Sequence, residues 1–176
     1  MLLNDVEAGR IATEILIKGG SRKIEMLSYD LGISSLKQRE IGYMNAMTEA
    51  GLEKEINIHY TTYSDVEADA PKILKSAMER GVEAFFLPTY SLSASMLLEI
   101  KQMNLLVPED LAIVAFDKSN VYKIMRNSIA HIQQPLKELG EKSVELLHNL
   151  IEGIETEKTF LLKPRLISGE SSIKKK

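Results

Sequence analysis

The sequence predicts an α/β protein: an open parallel sheet with helices on both faces. Three observations carry this reading. Helical and extended patterning alternate four times between residues 6 and 116. Two unbroken apolar runs, 84–87 (AFFL) and 111–116 (LAIVAF), have the length and composition of strands buried on both sides. Glycines stand where the helical stretches must stop, at Gly19-Gly20, Gly51 and Gly81.

Taken in order, Ala8, Ile11, Ala12, Ile15 and Leu16 recur at helical spacing and predict a helix over 6–18. KIEMLS at 23–28 is a short strand, and 29–35 is a loop rich in Gly and Ser. A second helix over 35–50 is expected to turn Ile41, Met44 and Met47 inward. Ile56, Ile58 and Tyr60 alternate with polar residues as a strand does. The third helix, 66–80, has the stripe Val66, Ala70, Ile73, Leu74, Ala77 and Met78, but Pro71 suggests that it begins at the proline after a turn. The first apolar run follows, then a helix over 91–104 with Leu92, Met96, Ile100 and Met103 facing in. A turn at 107–110 leads into the second apolar run. Four such units in a row imply right-handed crossovers between parallel strands. The rhythm then changes to a short strand at 129–133 and a long helix at 136–151. Extended chain at 159–167, broken by Pro164, and a basic tail complete the pattern. The long helix carries Leu136, Leu139, Val144, Leu147 and Ile151 on one stripe.

The 176 residues make one domain or part of a larger protein, and 44% hydrophobic content is enough for a real core. The absence of Cys excludes disulfides, Cys-ligated zinc, Fe–S clusters and thiol catalysis. His59, His131 and His148 are far apart and form no metal-ligand pair, and no cofactor loop is present, so no cofactor is expected. The formal net charge is −3, and without Lys174, Lys175 and Lys176 the body has 19 basic against 25 acidic residues. Such a body argues against nucleic-acid binding by these residues themselves. No apolar run approaches the ~20 residues of a membrane span, and the first residues lack the pattern of a signal peptide. A cytoplasmic protein without a membrane partner is expected.

Open parallel sheets bind ligands beyond the carboxyl ends of their strands. The loops there, 29–35, 61–65, 88–91 and 117–120, carry Ser34, Ser35, Tyr63, Asp65, Thr89, Tyr90, Asp117 and Lys118, with Arg39 one turn into the following helix. Each has a plain alternative. Ser34 or Ser35 reads as a helix N-cap, as does Asp65. Tyr63 reads as a rim aromatic over the core, and Arg39 as a solvated charge. Asp117 either caps the next turn or binds a ligand hydroxyl. An arginine, an aromatic ring and a carboxylate around one crevice suit a polyol or sugar. No dinucleotide, P-loop or nucleophile-elbow motif appears, so an enzyme is not expected. The enzymatic alternative rests on Asp117 with His131, and His131 reads equally as a structural histidine.

In this order and spacing the residues resemble the effector-binding core of LacI/GalR-type transcriptional regulators, which share the type I periplasmic-binding-protein fold. Residues 5–13 (DVEAGRIAT) look like the family's segment that opens on D-N and continues as A-G-x-x-A-T. Ser35 through Gly42, with Tyr43 and Ala46, resembles S-x-x-x-R-x-x-G-x-x-x-A. The most specific stretch is 107–117 (VPEDLAIVAFD), close to V-P-E-D-I-A-I-V-G-F-D. Ile132, Gln134-Pro135, Leu139-Gly140 and 162–168 (LKPRLIS) complete the pattern.

The resemblance implies that Arg39 contacts the effector and that Ser35 is the polar residue one turn before it. It implies that Tyr63 stacks on the ligand and that Asp117 binds its hydroxyls. Thr89 and Tyr90 stand where the family has Asn-Asp, so the ligand polarity differs there, and Tyr90 offers a second stacking face. Val6, Ala115 and Lys118 are further departures. The implied organisation is a C-terminal effector-binding subdomain over 1–134, with Gln134 at a hinge. A return helix over 135–152 would pack on an absent N-terminal subdomain, and 153–176 would form return strands and a basic tail. The implied function is the effector-sensing portion of a regulator, with a sugar as effector. Operator DNA would be reached only through a helix-turn-helix that this chain lacks, in a homodimer. The alternative is a solute-binding protein of the same fold. The apolar stripe of the 136–151 helix is too costly to leave in water. It is therefore expected to dock on its own domain in an unusual place or against a second chain.

Overall fold

The computed structural model describes residues 2–155 and 160–174. In chain order its elements are β1 (Leu2–Leu3), α1 (Asp5–Lys18), β2 (Ile24–Tyr29), α2 (Ser34–Glu49), β3 (Asn57–Thr61), α3 (Val66–Glu79) and β4 (Ala84–Phe86). They continue as α4 (Tyr90–Gln102), β5 (Ala112–Phe116), β6 (Ala130–Gln133), α5 (Leu136–Ile151), β7 (Leu161–Leu162) and β8 (Arg165–Ile167). Six strands form one sheet in the order β3-β2-β4-β5-β6-β8, parallel except for β8, which returns antiparallel against β6. β1 and β7 pair separately, in parallel, beside the main body. Of the extended chain expected at 159–167, Thr159 lies outside the described residues. The rest divides at Lys163-Pro164 into β7 and β8. Lys175 and Lys176 of the basic tail also lie outside the described residues.

Strand alternation explains the unbroken apolar runs. On β5, Ala112, Val114 and Phe116 face the α1–α2 layer while Ile113 and Ala115 face the α3–α4 layer, and all five are buried. The α1–α2 pair packs closely because two glycines meet backbone. A Cβ on Gly9 would stand 2.1 Å from the Arg39 carbonyl oxygen, and one on Gly42 would stand 2.0 Å from that of Val6.

Several expectations from patterning are corrected. Ile41 and Met103 are exposed, not inward. The buried face of α2 is instead Leu36, Arg39, Glu40, Tyr43, Ala46 and Met47, a helical stripe that two charged residues disguise. α3 begins at Val66, not at Pro71. Its first turn is held by the Asp69 N–H on the Asp65 carbonyl (2.9 Å) and by the Thr61 hydroxyl on the Asp69 carboxylate (2.9 Å). Burying Val66 and Ala70 in the same stripe as Leu74 and Ala77 offsets the backbone bond that the proline forfeits. α5 has the predicted bounds and stripe, but it does not dock on its own domain. None of its residues is buried, and Val144 and Ile151 are 70% and 73% exposed.

The edge strand β3 is tied in by a polar cluster at the amino end of β2. The buried Glu25 carboxylate accepts from Asn57 Nδ2 (2.9 Å), pairs with His59 Nε2 (2.7 Å) and accepts from Arg80 at both oxygens (2.9 and 2.8 Å). Burial alone would raise its pKa, but the bonds from His59, Asn57 and Arg80 hold it down to about 2.

Two predictions follow from packing and charge. Gly42→Ala should lower the unfolding free energy by about 1–3 kcal/mol in urea titration, whereas Gly140→Ala, with open space around its Cβ, should not destabilise the chain. A carboxylate with a depressed folded pKa stabilises above its unfolded pKa and loses that contribution as it protonates. Glu25→Gln should therefore cost about 2 kcal/mol at pH 7, and the difference from wild type should shrink as pH falls from 4.5 through about 2.

Candidate ligand-binding site

The carboxyl ends of the parallel strands form a continuous polar and aromatic rim, and its central group is Arg39. α2 carries the side chain inward over the sheet end, where it is 7% exposed. Its Nε donates to Asp5 Oδ1 (2.7 Å), and a terminal nitrogen lies 2.7 Å from the same oxygen. The other terminal nitrogen donates to the Pro88 carbonyl just past β4 (2.6 Å). The guanidinium lies 3.6 Å over the Phe116 ring at the end of β5. This is not the solvated charge of the plain reading. Burial holds the Asp5 carboxyl above its ordinary range, against the opposing pull of Arg39.

The rim continues in both directions. Tyr63, 71% exposed after β3, lies with its ring 5.9 Å from that of Tyr29. The Tyr29 hydroxyl donates to Ser91 (2.9 Å), and burial raises its pKa. Thr89 caps α4 by accepting from the Leu92 N–H (3.2 Å), and its hydroxyl lies 3.2 Å from that of Ser91. Tyr90 opens α4 and is 50% exposed. Beyond β5, Asp117 has φ +59°, a left-handed conformation that aspartate tolerates better than most residues. Its two carboxylate oxygens accept from Gln134, from Nε2 at 2.8 Å and from the backbone N–H at 3.4 Å. Tyr122 closes this end, donating to the Phe116 and Asp117 carbonyls (3.0 and 2.8 Å).

Ser34 and Ser35 do not cap α2. The cap position is Ile33, without a side-chain bond, and the serines lie in the first turn. Asp65 stands at the cap of α3, but its carboxylate takes the Thr62 hydroxyl (2.5 Å) and no helix amide. The half-buried Ser35 and Arg39 line a cleft of about 230 Å³ together with Leu3, Asp5, Gln134 and Leu139. Sequence patterning does not mark Asp5 as a site residue, because it looks like an ordinary acidic first-turn residue, and only the fold brings it against Arg39.

His131 is buried against Tyr122, with ring centroids 5.5 Å apart. Its Nδ1 lies 2.9 Å from the Ile129 carbonyl, and its Nε2 has no partner. It does not bond Asp117, so these residues are not arranged as a proton relay. Among the described residues no His/Cys/Asp/Glu cluster could hold a metal ion, and no helix is long and apolar enough to cross a membrane. A second cleft, of about 420 Å³, lies at the amino ends of β5 and β6 between Leu105, Val107, Met125 and Asn127. Its charged residues Lys101, Glu109 and Arg126 are all exposed.

Comparison with known proteins shows what this chain is similar to. The sequence profile of the periplasmic binding protein-like domain matches residues 13–172. The transcriptional repressor PurR of Vibrio campbellii is 27% identical over 93% of this chain. The ribose operon repressor of Haemophilus influenzae is 29% identical over 97%. The chain spans about half the length of these curated relatives, 50% and 52% respectively. Among solved structures, a regulatory protein of the LacI family from Chloroflexus aggregans superposes with a TM-score of 0.82 at 28% identity, covering 98% of this chain and 63% of that one. The regulator CelR in complex with cellobiose superposes with a TM-score of 0.81 at 27% identity, covering 97% and 53%. These relatives are transcriptional regulators, not enzymes.

Removing one partner of a buried ion pair leaves an uncompensated charge. Asp5→Ala should therefore cost about 3–5 kcal/mol in chemical denaturation. The double variant Asp5→Ala with Arg39→Met should recover much of that loss.

Proposed function

The chain belongs to the periplasmic binding protein-like domain family, and we propose that it is the effector-binding part of a LacI-type transcriptional regulator, that the rim around Arg39 and Asp117 is its effector site and that a sugar is the effector. The observation that carries this reading is the convergence of Ser35, Arg39, Tyr63, Thr89, Tyr90 and Asp117 on one sheet edge. The exposed rings of Tyr63 and Tyr90 offer faces for C–H groups. The hydroxyl of Ser35, the remaining lone pairs of Asp117 and the free N–H groups of Arg39 serve hydroxyls. Thr89 contributes through its cap, which fixes the start of α4, as much as through its own hydroxyl.

The site sits beside the places where the chain leaves and re-enters the main body. β1 leads through the cap residue Asn4 to Asp5, and Gln134, which holds Asp117, precedes α5. β7 is tied to the same junction by the Asn4 N–H on the Leu162 carbonyl (2.8 Å). In the longer protein, residues 1–134 act as the effector-binding subdomain, 135–152 as a return helix and 153–176 as return strands and tail. The uncovered stripe of α5 packs against a further subdomain. Effector binding shifts the population of two subdomain arrangements, and operator DNA is read by a DNA-binding segment of that longer, cytoplasmic, homodimeric protein. The acidic composition of these residues fits a sensing role and not direct DNA contact.

Calorimetric titration with ribose and cellobiose tests the site. Saturable binding of at least one, weakened about tenfold or more by Asp117→Ala and by Tyr63→Ala, is expected. Saturable binding that neither variant changes would refute the assignment. Hydrogen exchange tests the role of α5. Its amides should exchange rapidly in a monomer of this chain and become protected in the longer protein. Equal exchange in both would contradict the packing.

A further inference from the structure

The charge distribution of the rim carries a statement about ligand class that rests on the effector-site reading above. The four loops at the carboxyl ends contain Asp30, Asp65 and Asp117 against the single cation Lys118. Two cations approach from α2, and both are already committed. Lys37 pairs with the buried Glu40 (3.0 Å). Arg39 pairs with Asp5 through two nitrogens at 2.7 Å, with both side chains 9% exposed. Asp117 is satisfied by the uncharged amide groups of Gln134, and among the described residues no cation, the neighbouring Lys118 included, forms an ion pair with it. An anionic ligand entering this rim would meet a quenched arginine and a carboxylate without an ion-pair partner.

We propose that the site is built for an uncharged polyhydroxy ligand and excludes its phosphorylated counterpart, and that Asp5 is the residue that sets this preference by occupying Arg39. Asp5 is a specificity-determining residue that acts through the arginine. It leaves Arg39 the N–H groups needed to donate to a hydroxyl oxygen while cancelling the charge that would hold a phosphate or carboxylate. Its place at the first residue of α1, one residue after β1, makes that cancellation part of the fold and not of a mobile surface pair.

The test compares ribose, ribose 5-phosphate and inorganic phosphate as probes, by calorimetry and by the Arg39 Nε–H resonance in NMR. Wild type should bind ribose more tightly than ribose 5-phosphate, and phosphate should leave the Arg39 resonance in place. Asp5→Asn should tighten phosphate binding about tenfold or more, in a salt-sensitive way, and move the Arg39 resonance on titration. Asp5→Ser serves as the second variant should the amide disturb folding. Tighter binding of ribose 5-phosphate than of ribose by wild type would overturn the proposal, as would a phosphate affinity unchanged by either variant. Should wild type bind neither sugar, the effector-site reading fails by itself. The phosphate titration of the Asp5 variants then still decides whether Asp5 quenches Arg39.

Discussion

Burying a guanidinium at the end of a parallel sheet imposes conditions on everything around it. Arg39 loses its hydration and must find its partners within the protein. It finds a carboxylate at the start of α1, a carbonyl past β4 and an aromatic face at the end of β5. These three groups come from distant parts of the chain, so the arginine is satisfied only when α1, α2 and the sheet are all in place. The glycines belong to the same constraint. Gly9 lets α1 lie directly against the Arg39 backbone, and one turn earlier on α1 the side chain of that arginine finds Asp5. A larger residue at position 9 would push α2 away and separate the ion pair.

The rim inherits its character from this arrangement. With Arg39 neutralised and Asp117 held by Gln134, the remaining features are hydroxyls, tyrosine faces and an excess of carboxylates. That combination recognises shape and hydrogen-bond donors more than charge. The same rim lies near the junctions with β1, α5 and β7, so on the proposed reading a ligand seated there would touch the segments on which subdomain movement would turn. α5 is the counterpart of that idea. A fully formed helix with an uncovered apolar stripe is a poor end state in water and a good surface for a second body.

Much of the fold was legible because backbone periodicity and burial agree. The runs AFFL and LAIVAF read as strands since both faces of the sheet are covered, and α5 reads to the residue since its stripe is uninterrupted. Legibility failed where polar groups occupy buried positions. α2 hides Arg39 and Glu40 in its inward face, so its pattern pointed to Ile41 instead. Pro71 signalled a helix start that tertiary burial of Val66 and Ala70 overrode. β8 joins the sheet antiparallel through only three residues, too few to carry a pattern. At the site, the loop positions were recoverable from the rule that parallel sheets bind at their carboxyl ends. Asp5 was not, because nothing in a first-turn aspartate announces a partner 34 residues away.

The most direct test of the account is a backbone and side-chain chemical-shift map of this chain titrated with an uncharged sugar such as ribose or cellobiose. The account predicts that shifts concentrate on Ser35, Arg39, Tyr63, Tyr90, Asp117 and Gln134, with the Leu105–Asn127 cleft at the opposite end of the sheet unchanged. Shifts confined to that opposite cleft or to the stripe of α5, with the Arg39 and Asp117 resonances unmoved, would contradict it.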